Sequence, residues 1–337
     1  MGLTTSVRPY IFYIVFSMHD LESTDCRLCG GKENQTFLKK DGLSLAKCST
    51  CGLVYLNPRP KAMDLKQLYD KRFRKIEGGP AHSFDDFLKD PKGFSRNYRI
   101  SRLRYIKKYA RGPRLLDVGC AYGIFLYVAS QSGYKVSGVE MSSYSAETAR
   151  KKFNVDVYNG SLAGAAFKPS IFDVVTLWDV LEHLMDPLAE LREVHRLLKP
   201  GGLIAIQLPN LRGLDVAILK EKWGWLQLPY HLYFFTPSTL KQMVEKSGFE
   251  VVGLRTYHVD LWDIMLRKFF KRYDKGRRSA IVRRYDDKKR TGALSFHIFK
   301  LLKNFFYILS AVLKYLIYPW VILAKRGSLI QLYAVRK

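Results

Sequence analysis

LLDVGCAYGIFL, residues 115–126, decides the fold of this chain. The stretch opens with an aliphatic run short enough for one buried strand, then sets Asp117, Gly119 and Gly123 where strand gives way to helix. Glycine there tolerates the backbone angles of a tight turn and lets the main chain approach a ligand, and the N–H groups of the following helix face the same turn. Glu140 closes a second apolar run, YKVSGVE (134–140), at the point from which a carboxylate accepts hydrogen bonds from both hydroxyls of a ribose. Alone, either feature is equally a turn glycine or a solvated helix cap; in register, the two point to a nucleoside-bearing ligand. A dinucleotide is the competing ligand, but its G-x-G-x-x-G spacing is not met, because Gly119 and Gly123 read G-x-x-x-G.

Outward from this stretch the apolar pattern alternates. After the strand at 114–119 and a helix to Ser132 come a strand at 134–140, a helix at 145–153, and strands at 155–160 and 172–178. A helix over 188–198, ended by Lys199-Pro200-Gly201-Gly202, leads to a strand at 203–209. Thr236-Pro237-Ser238 opens a further helix, 249–256 reads as a sixth strand, and 327–337 alternates as a seventh. This order predicts an α/β, Rossmann-like fold with a seven-stranded, mostly parallel sheet covered by helices on both faces.

Three side chains past the fourth strand, Asp179, Glu182 and His183, fall at i, i+3 and i+4. On a helix they would share one face, bringing two carboxylates to an imidazole. His183 is then a candidate general base with Asp179 or Glu182 setting its tautomer; a helix cap is the bland alternative. His231, in a loop expected to cover the site, is the candidate for an added base or ligand.

These residues together resemble the class I S-adenosylmethionine-dependent methyltransferases, and more narrowly the branch of quinone-biosynthesis O-methyltransferases. The resemblance runs from about Arg96 to Lys337, leaving out a long insertion. It rests on LLDVGCAYG, Glu140, FDVVTLWDVLEHLMDP (172–187), LLKPGG (197–202) and PYHLYFFTPSTLKQMVEKSGFEV (229–251). It implies that Asp117, Gly119 and Gly123, with Cys120 in the same loop, border the methionine moiety of S-adenosylmethionine and that Glu140 holds the ribose. Ser161 and Leu162 would flank the adenine, with Trp178 and Asp179 near the reactive methyl group. It also implies a second role for Asp179, Glu182 and His183, as ligands of a divalent cation beside the acceptor hydroxyl. Ala121 departs from the pattern, standing where the family commonly has glycine.

Two C-x-x-C-G knuckles, Cys26/Cys29 and Cys48/Cys51, precede this core. Four thiolates satisfy tetrahedral Zn²⁺ with no open position, which predicts a structural zinc module over 24–60. Cys120, the fifth cysteine, is expected to be a small packing residue. Residues 1–23 form either an apolar leader or a mis-assigned start preceding Met18; Tyr10–Met18 is well short of the roughly 20 apolar residues a spanning helix needs.

The chain has 337 residues, 47% of them hydrophobic, which excludes disorder as the default, and a net charge of +26. The excess is concentrated: a basic helical connector over 61–113, with Ile100, Leu103 and Ile106 on its packed face, and a basic run over 267–290 inside an insertion at 259–326. In that insertion Lys300, Lys303, Tyr307, Ser310 and Lys314 trace a narrow polar stripe on an otherwise apolar helix. Such a helix suits the plane of an acidic membrane surface, here through residues 267–318, with a protein interface as the alternative. The expectation is a cytoplasmic enzyme, at most peripheral on the inner face of the membrane, methylating a hydroxyl of a small or lipid-linked metabolite such as an envelope sugar intermediate or a quinone-like phenol. An RNA methyltransferase and a non-catalytic membrane-associated adaptor are the rivals; nucleic acid is disfavoured because few aromatics interleave the basic connector. Oligomeric state is left open.

Overall fold

Unbroken burial marks the centre of the sheet: all seven residues of Phe172–Trp178 are inside, as are Leu115–Val118 beside them. Strands covered on both faces read as continuous apolar runs, and these are the runs that stand out in the sequence. The computed structural model describes residues 21–61, 80–257, 316 and 318–337.

Residues 21–60 form five short strands, β1 (Leu21–Glu22), β2 (Asn34–Lys40), β3 (Leu43–Cys48), β4 (Val54–Leu56) and β5 (Arg59–Pro60). The connector supplies α1 (Pro80–Lys89), α2 (Pro91–Tyr98) and α3 (Arg104–Tyr109). The core then runs β6 (Arg114–Val118), α4 (Ile124–Ser130), β7 (Lys135–Glu140), α5 (Ser143–Phe153), β8 (Asp156–Asn159) and β9 (Phe172–Trp178). It continues through α6 (Pro187–Leu197), β10 (Leu198–Pro209), α7 (Leu214–Leu219), β11 (Tyr233–Phe234), α8 (Pro237–Lys246), β12 (Phe249–Tyr257) and β13 (Leu329–Arg336).

The large sheet has seven strands in the order β12-β13-β10-β9-β6-β7-β8. From β10 to β8 they are parallel, and β13 inserts antiparallel between β10 and β12. Strand order reverses between β6 and β9, so the carboxyl ends of those strands open a crevice where α/β sheets bind ligands. Local chemistry sets the helix starts: Ser142, Asp186 and Thr236 accept from backbone N–H groups of α5, α6 and α8, and Pro187 and Pro237 occupy first-turn positions.

Two expectations are corrected. A π-helical turn at Arg99–Leu103 separates α2 from α3. Its extra residue rotates the face, leaving Ile100 exposed while Leu103 and Ile106 are buried. Lys199–Gly202 does not stand outside the fifth strand; β10 starts at Leu198 and carries those residues as an irregularity in its pairing with β9. Around the knuckles a four-stranded sheet runs β11-β4-β3-β2, and its edge strand β11 follows β4 by almost 180 residues. The polar stripe Lys300–Lys314 and the basic run 267–290 lie outside the described residues. Among the described residues no helix is long and apolar enough to cross a membrane.

Candidate active site

The donor side of the crevice is built from consecutive pieces. Asp117, near the end of β6, is fully inside, and its carboxylate accepts from Thr176 Oγ1 on β9 at 2.6 Å. Burial pushes its pKa up to about 7, against the pull of Thr176 and Arg102. The loop beyond it folds back on β7: the N–H groups of Gly119 and Cys120 both donate to Val139 O, at 2.8 and 3.2 Å. Gly119 and Gly123 have φ of +69° and +76°, and a Cβ would lie 2.6 Å from Val180 Cγ2 at the first and 2.7 Å from Ala149 Cβ at the second. Ala121 takes the same left-handed region, at φ +46°.

Glu140 ties that loop down. Its Oε2 accepts from Ala121 N at 2.9 Å and its Oε1 from Ser142 N at 2.7 Å. The same interaction holds Ala121 in its strained conformation, explaining how alanine is accommodated there. Burial raises the Glu140 pKa and the backbone donors lower it. Of the other expected donor-side residues, Leu162 is buried; Ser161 is exposed, and its hydroxyl accepts from Gly164 N at 3.1 Å. Cys120 is buried with its thiol against Gly138, and burial holds its pKa well above the ordinary thiol range.

Trp178 ends β9 and meets Phe125 edge-on at 5.3 Å. Asp179 follows with φ +60°, so no helix runs through it. Leu181–His183 is instead a single 3-10 turn. The shared helical face expected for Asp179, Glu182 and His183 is therefore not how the chain presents them. Asp179 accepts from Gln207 Nε2 at 2.9 Å and pairs with Arg102 at 3.8 Å. Glu182 and His183 meet His231, and one ligand atom from each of these three residues lies within 4.8 Å of the other two.

Glu182 is buried, and among the described residues neither carboxylate oxygen has a hydrogen-bond partner. Desolvation, reinforced by the charge of Asp179, drives its pKa well above the ordinary carboxylate range. His183 Nδ1 stands 2.8 Å from Tyr230 O. A carbonyl only accepts, so in neutral His183 the proton sits on Nδ1 and Nε2 carries the lone pair, as a base or a metal ligand requires. The two imidazoles cross edge-to-face at 4.6 Å, and Trp225 stacks on His231 at 6.5 Å.

Sequence reasoning missed Arg102 and Gln207. The Arg102 guanidinium lies 4.6 Å over Trp178 and 4.5 Å over Tyr98, reaching between the donor loop and Asp179. Gln207 links Asp179 to Tyr257 and Gln331 on the outer strands. The only local signal for Arg102 is its four-residue spacing from Tyr98 within a run of many cations.

The model of a family described as "Methyltransferase domain" matches residues 94–254. A ubiquinone biosynthesis O-methyltransferase of Cereibacter sphaeroides is 29% identical over 223 residues, 63% of this chain and 84% of that protein. Its counterpart in Nitrosospira multiformis is 32% identical over 170 residues, 45% of this chain and 71% of that protein. Among solved structures, a SAM-dependent methyltransferase from Archaeoglobus fulgidus is 17% identical with a TM-score of 0.46, covering 80% of this chain and 99% of that one.

Proposed function

This chain belongs to the S-adenosylmethionine-dependent methyltransferases, and from that premise we propose that it methylates a hydroxyl of a small or lipid-linked acceptor placed against Glu182, His183 and His231. The donor loop suits the crevice: Gly119 and Gly123 hold it at positive φ where a Cβ would collide with Val180 and Ala149, and Glu140 stands at the end of β7 where a ribose is held. Asp117 and the Gly119–Gly123 loop would hold the methionine part, Glu140 the ribose, and Ser161 with Leu162 the adenine. S-adenosylmethionine supplies a methyl group that is already electrophilic, so the protein's task is to orient the acceptor and remove its proton.

The observation that carries this reading is the buried carboxyl group of Glu182, clustered with two histidines and without a hydrogen-bond partner among the described residues. A buried polar group without a partner costs roughly 1–3 kcal/mol, more when charged, and such a cost is retained where a ligand relieves it. His183, with its proton on Nδ1, takes the acceptor proton on Nε2, and Glu182 stabilises the imidazolium that results. Glu182, His183 and His231 would equally hold a divalent cation that lowers the pKa of the acceptor hydroxyl, the second role expected for this region. The relatives act in ubiquinone biosynthesis, which makes a phenolic hydroxyl the first acceptor class to try.

The test uses methyl-labelled donor with catechols, quinols, sugar phosphates and RNA, each with and without chelator and with Mg²⁺, Mn²⁺ or Zn²⁺ restored. Label in an O-methyl ether of a small acceptor, lost in Glu182→Gln, is the expected result. Transfer to RNA alone, or transfer indifferent to Glu182→Gln, overturns the proposal.

A further inference from the structure

The four knuckle cysteines lie at the root of the acceptor wall. Gly30 and Gly52 turn the two knuckles in the same way, at φ +81° and +75°, each donating its N–H to the carbonyl of the first cysteine of its pair, at 2.8 and 3.0 Å. The Sγ atoms of Cys26 and Cys51 are 3.4 Å apart, those of Cys29 and Cys48 are 3.5 Å apart, and one tight cluster includes all four. A tetrahedral Zn–S distance of about 2.3 Å requires S···S edges of about 3.8 Å. A disulfide requires about 2.05 Å, so the spacing is that of ligands around an ion. Gly31 completes the cradle: a Cβ there would stand 3.1 Å from Cys29 Sγ and 3.3 Å from Cys48 Sγ.

What surrounds the cluster gives it a purpose. Two residues separate Cys51 from β4, and β4 pairs antiparallel with β11, matching Tyr55 to Tyr233 and Val54 to Phe234. Leu232, beside His231, is held on both sides: Leu56 N donates to its carbonyl and its own N–H donates to Glu182 O, each at 2.8 Å. Buried Arg59 donates to Met185 O at 2.7 Å and to Tyr233 Oη at 3.1 Å. Lys246 on α8 donates to Leu28 O within the first knuckle at 2.6 Å. One hydrophobic core runs without a break from Cys26, Leu28 and Leu53 to Leu181, Leu232 and Tyr233.

We propose that Cys26, Cys29, Cys48 and Cys51 bind one Zn²⁺ with a closed shell, and that this ion holds β4 in place as the strut that positions His231 beside Glu182 and His183. Strands as short as β4 and β11 do not persist alone, so the ion supplies the order that a larger core would otherwise supply. The donor side rests on β6 and β7, which make no strand pairing with this module and share its hydrophobic core only through residues such as Leu116, Val118 and Val139, so removing the ion disorders the acceptor wall first and leaves donor binding in place. The metal site stands by itself; its bearing on the acceptor rests on the methyltransferase reading.

The full chain tests this without any acceptor. Elemental analysis of protein purified under reducing conditions is expected to give one zinc per chain, released stoichiometrically by a mercurial and taken up again when thiol and Zn²⁺ are restored. Amide hydrogen exchange, read with and without the ion, is expected to rise at least ten-fold in 231–234 and at Glu182 on removal, to recover on restoration, and to stay unchanged in 115–118. Affinity for S-adenosylhomocysteine is expected to stay within about three-fold throughout. Folded protein with Cys26, Cys29, Cys48 and Cys51 all free and no metal, with two disulfides among them, or with iron in place of zinc overturns the site. Zinc released with no change in 231–234, or with equal loss of protection across the whole sheet, overturns the strut. Loss of S-adenosylhomocysteine binding from zinc-loaded protein whose 231–234 amides remain protected would instead count against the methyltransferase reading alone.

Discussion

The two sides of the crevice are built in opposite ways. Asp117, Gly119, Gly123 and Glu140 lie within 24 residues, on two adjacent parallel strands and the loop that leaves the first, so one β-α-β unit assembles the donor side. Glu182, His183 and His231 are brought together from a turn after β9 and a loop before β11, and that loop is braced by a strand from residues 54–56. Local units form their geometry with few alternatives, whereas a wall assembled from distant segments depends on every brace. The donor side should therefore tolerate damage to the acceptor side, and this asymmetry can be broken by experiment.

Glu182→Gln should separate the two most sharply. It removes the ability to ionise and leaves the shape, so His183 loses the group that stabilises its imidazolium and kcat is expected to fall about 10²–10⁴-fold, the scale of general acid–base catalysis, while donor affinity is unchanged. Equal losses in both would mean that the sides are not separable. Glu182→Leu sharpens the same point through stability. Trading an unpartnered buried carboxylate for a hydrocarbon is expected to raise the melting temperature, by about 1–3 kcal/mol of stability, in a protein that no longer turns over. Unchanged or lowered stability would mean that Glu182 is satisfied in the free protein.

Arg59→Ala tests the brace. Losing a buried cation bonded to Met185 O and Tyr233 Oη is expected to destabilise by about 2–3 kcal/mol, whereas Arg27→Ala, at the exposed 3.5 Å pair with Asp186, should cost under about 1 kcal/mol. Similar effects of the two would deny that Arg59 braces the wall. A separate effect is on pH dependence in donor-free protein. Asp117 has its folded pKa raised from 3.8 to about 7, so the native state binds this proton more tightly than the unfolded chain does. The stabilisation is complete below the unfolded pKa and is lost as pH rises from about 4 through about 7. Asp117→Asn should therefore gain on the wild type across that window in thermal melts, and parallel profiles would contradict the cause assigned here.

Legibility followed the same division. The central strands could be read because burial on both faces writes itself as apolar runs, and Gly119 and Gly123 because positive φ there selects glycine. The left-handed turn at Asp179 was not legible, since aspartate enters that region without a sequence mark, and it redirected one of the three side chains expected to converge. His231 was found as a candidate, but its place beside Glu182 follows from the pairing of β4 with β11, two short strands almost 180 residues apart. Ile100 was misplaced because one π turn shifts helical phase without changing composition. Arg102 went unread for a related reason: its meaning lies in Trp178 and Asp179, which are distant in sequence.

Calorimetric titration with S-adenosylmethionine, comparing wild type with Glu140→Ala, tests the central claim most directly. Glu140 joins the glycine loop to the end of β7 and stands where the ribose is held. The account predicts one site per chain in the wild type and at least a ten-fold loss of affinity in the variant. Folded wild-type protein that takes up no donor, or a variant that binds it equally well, would contradict the account.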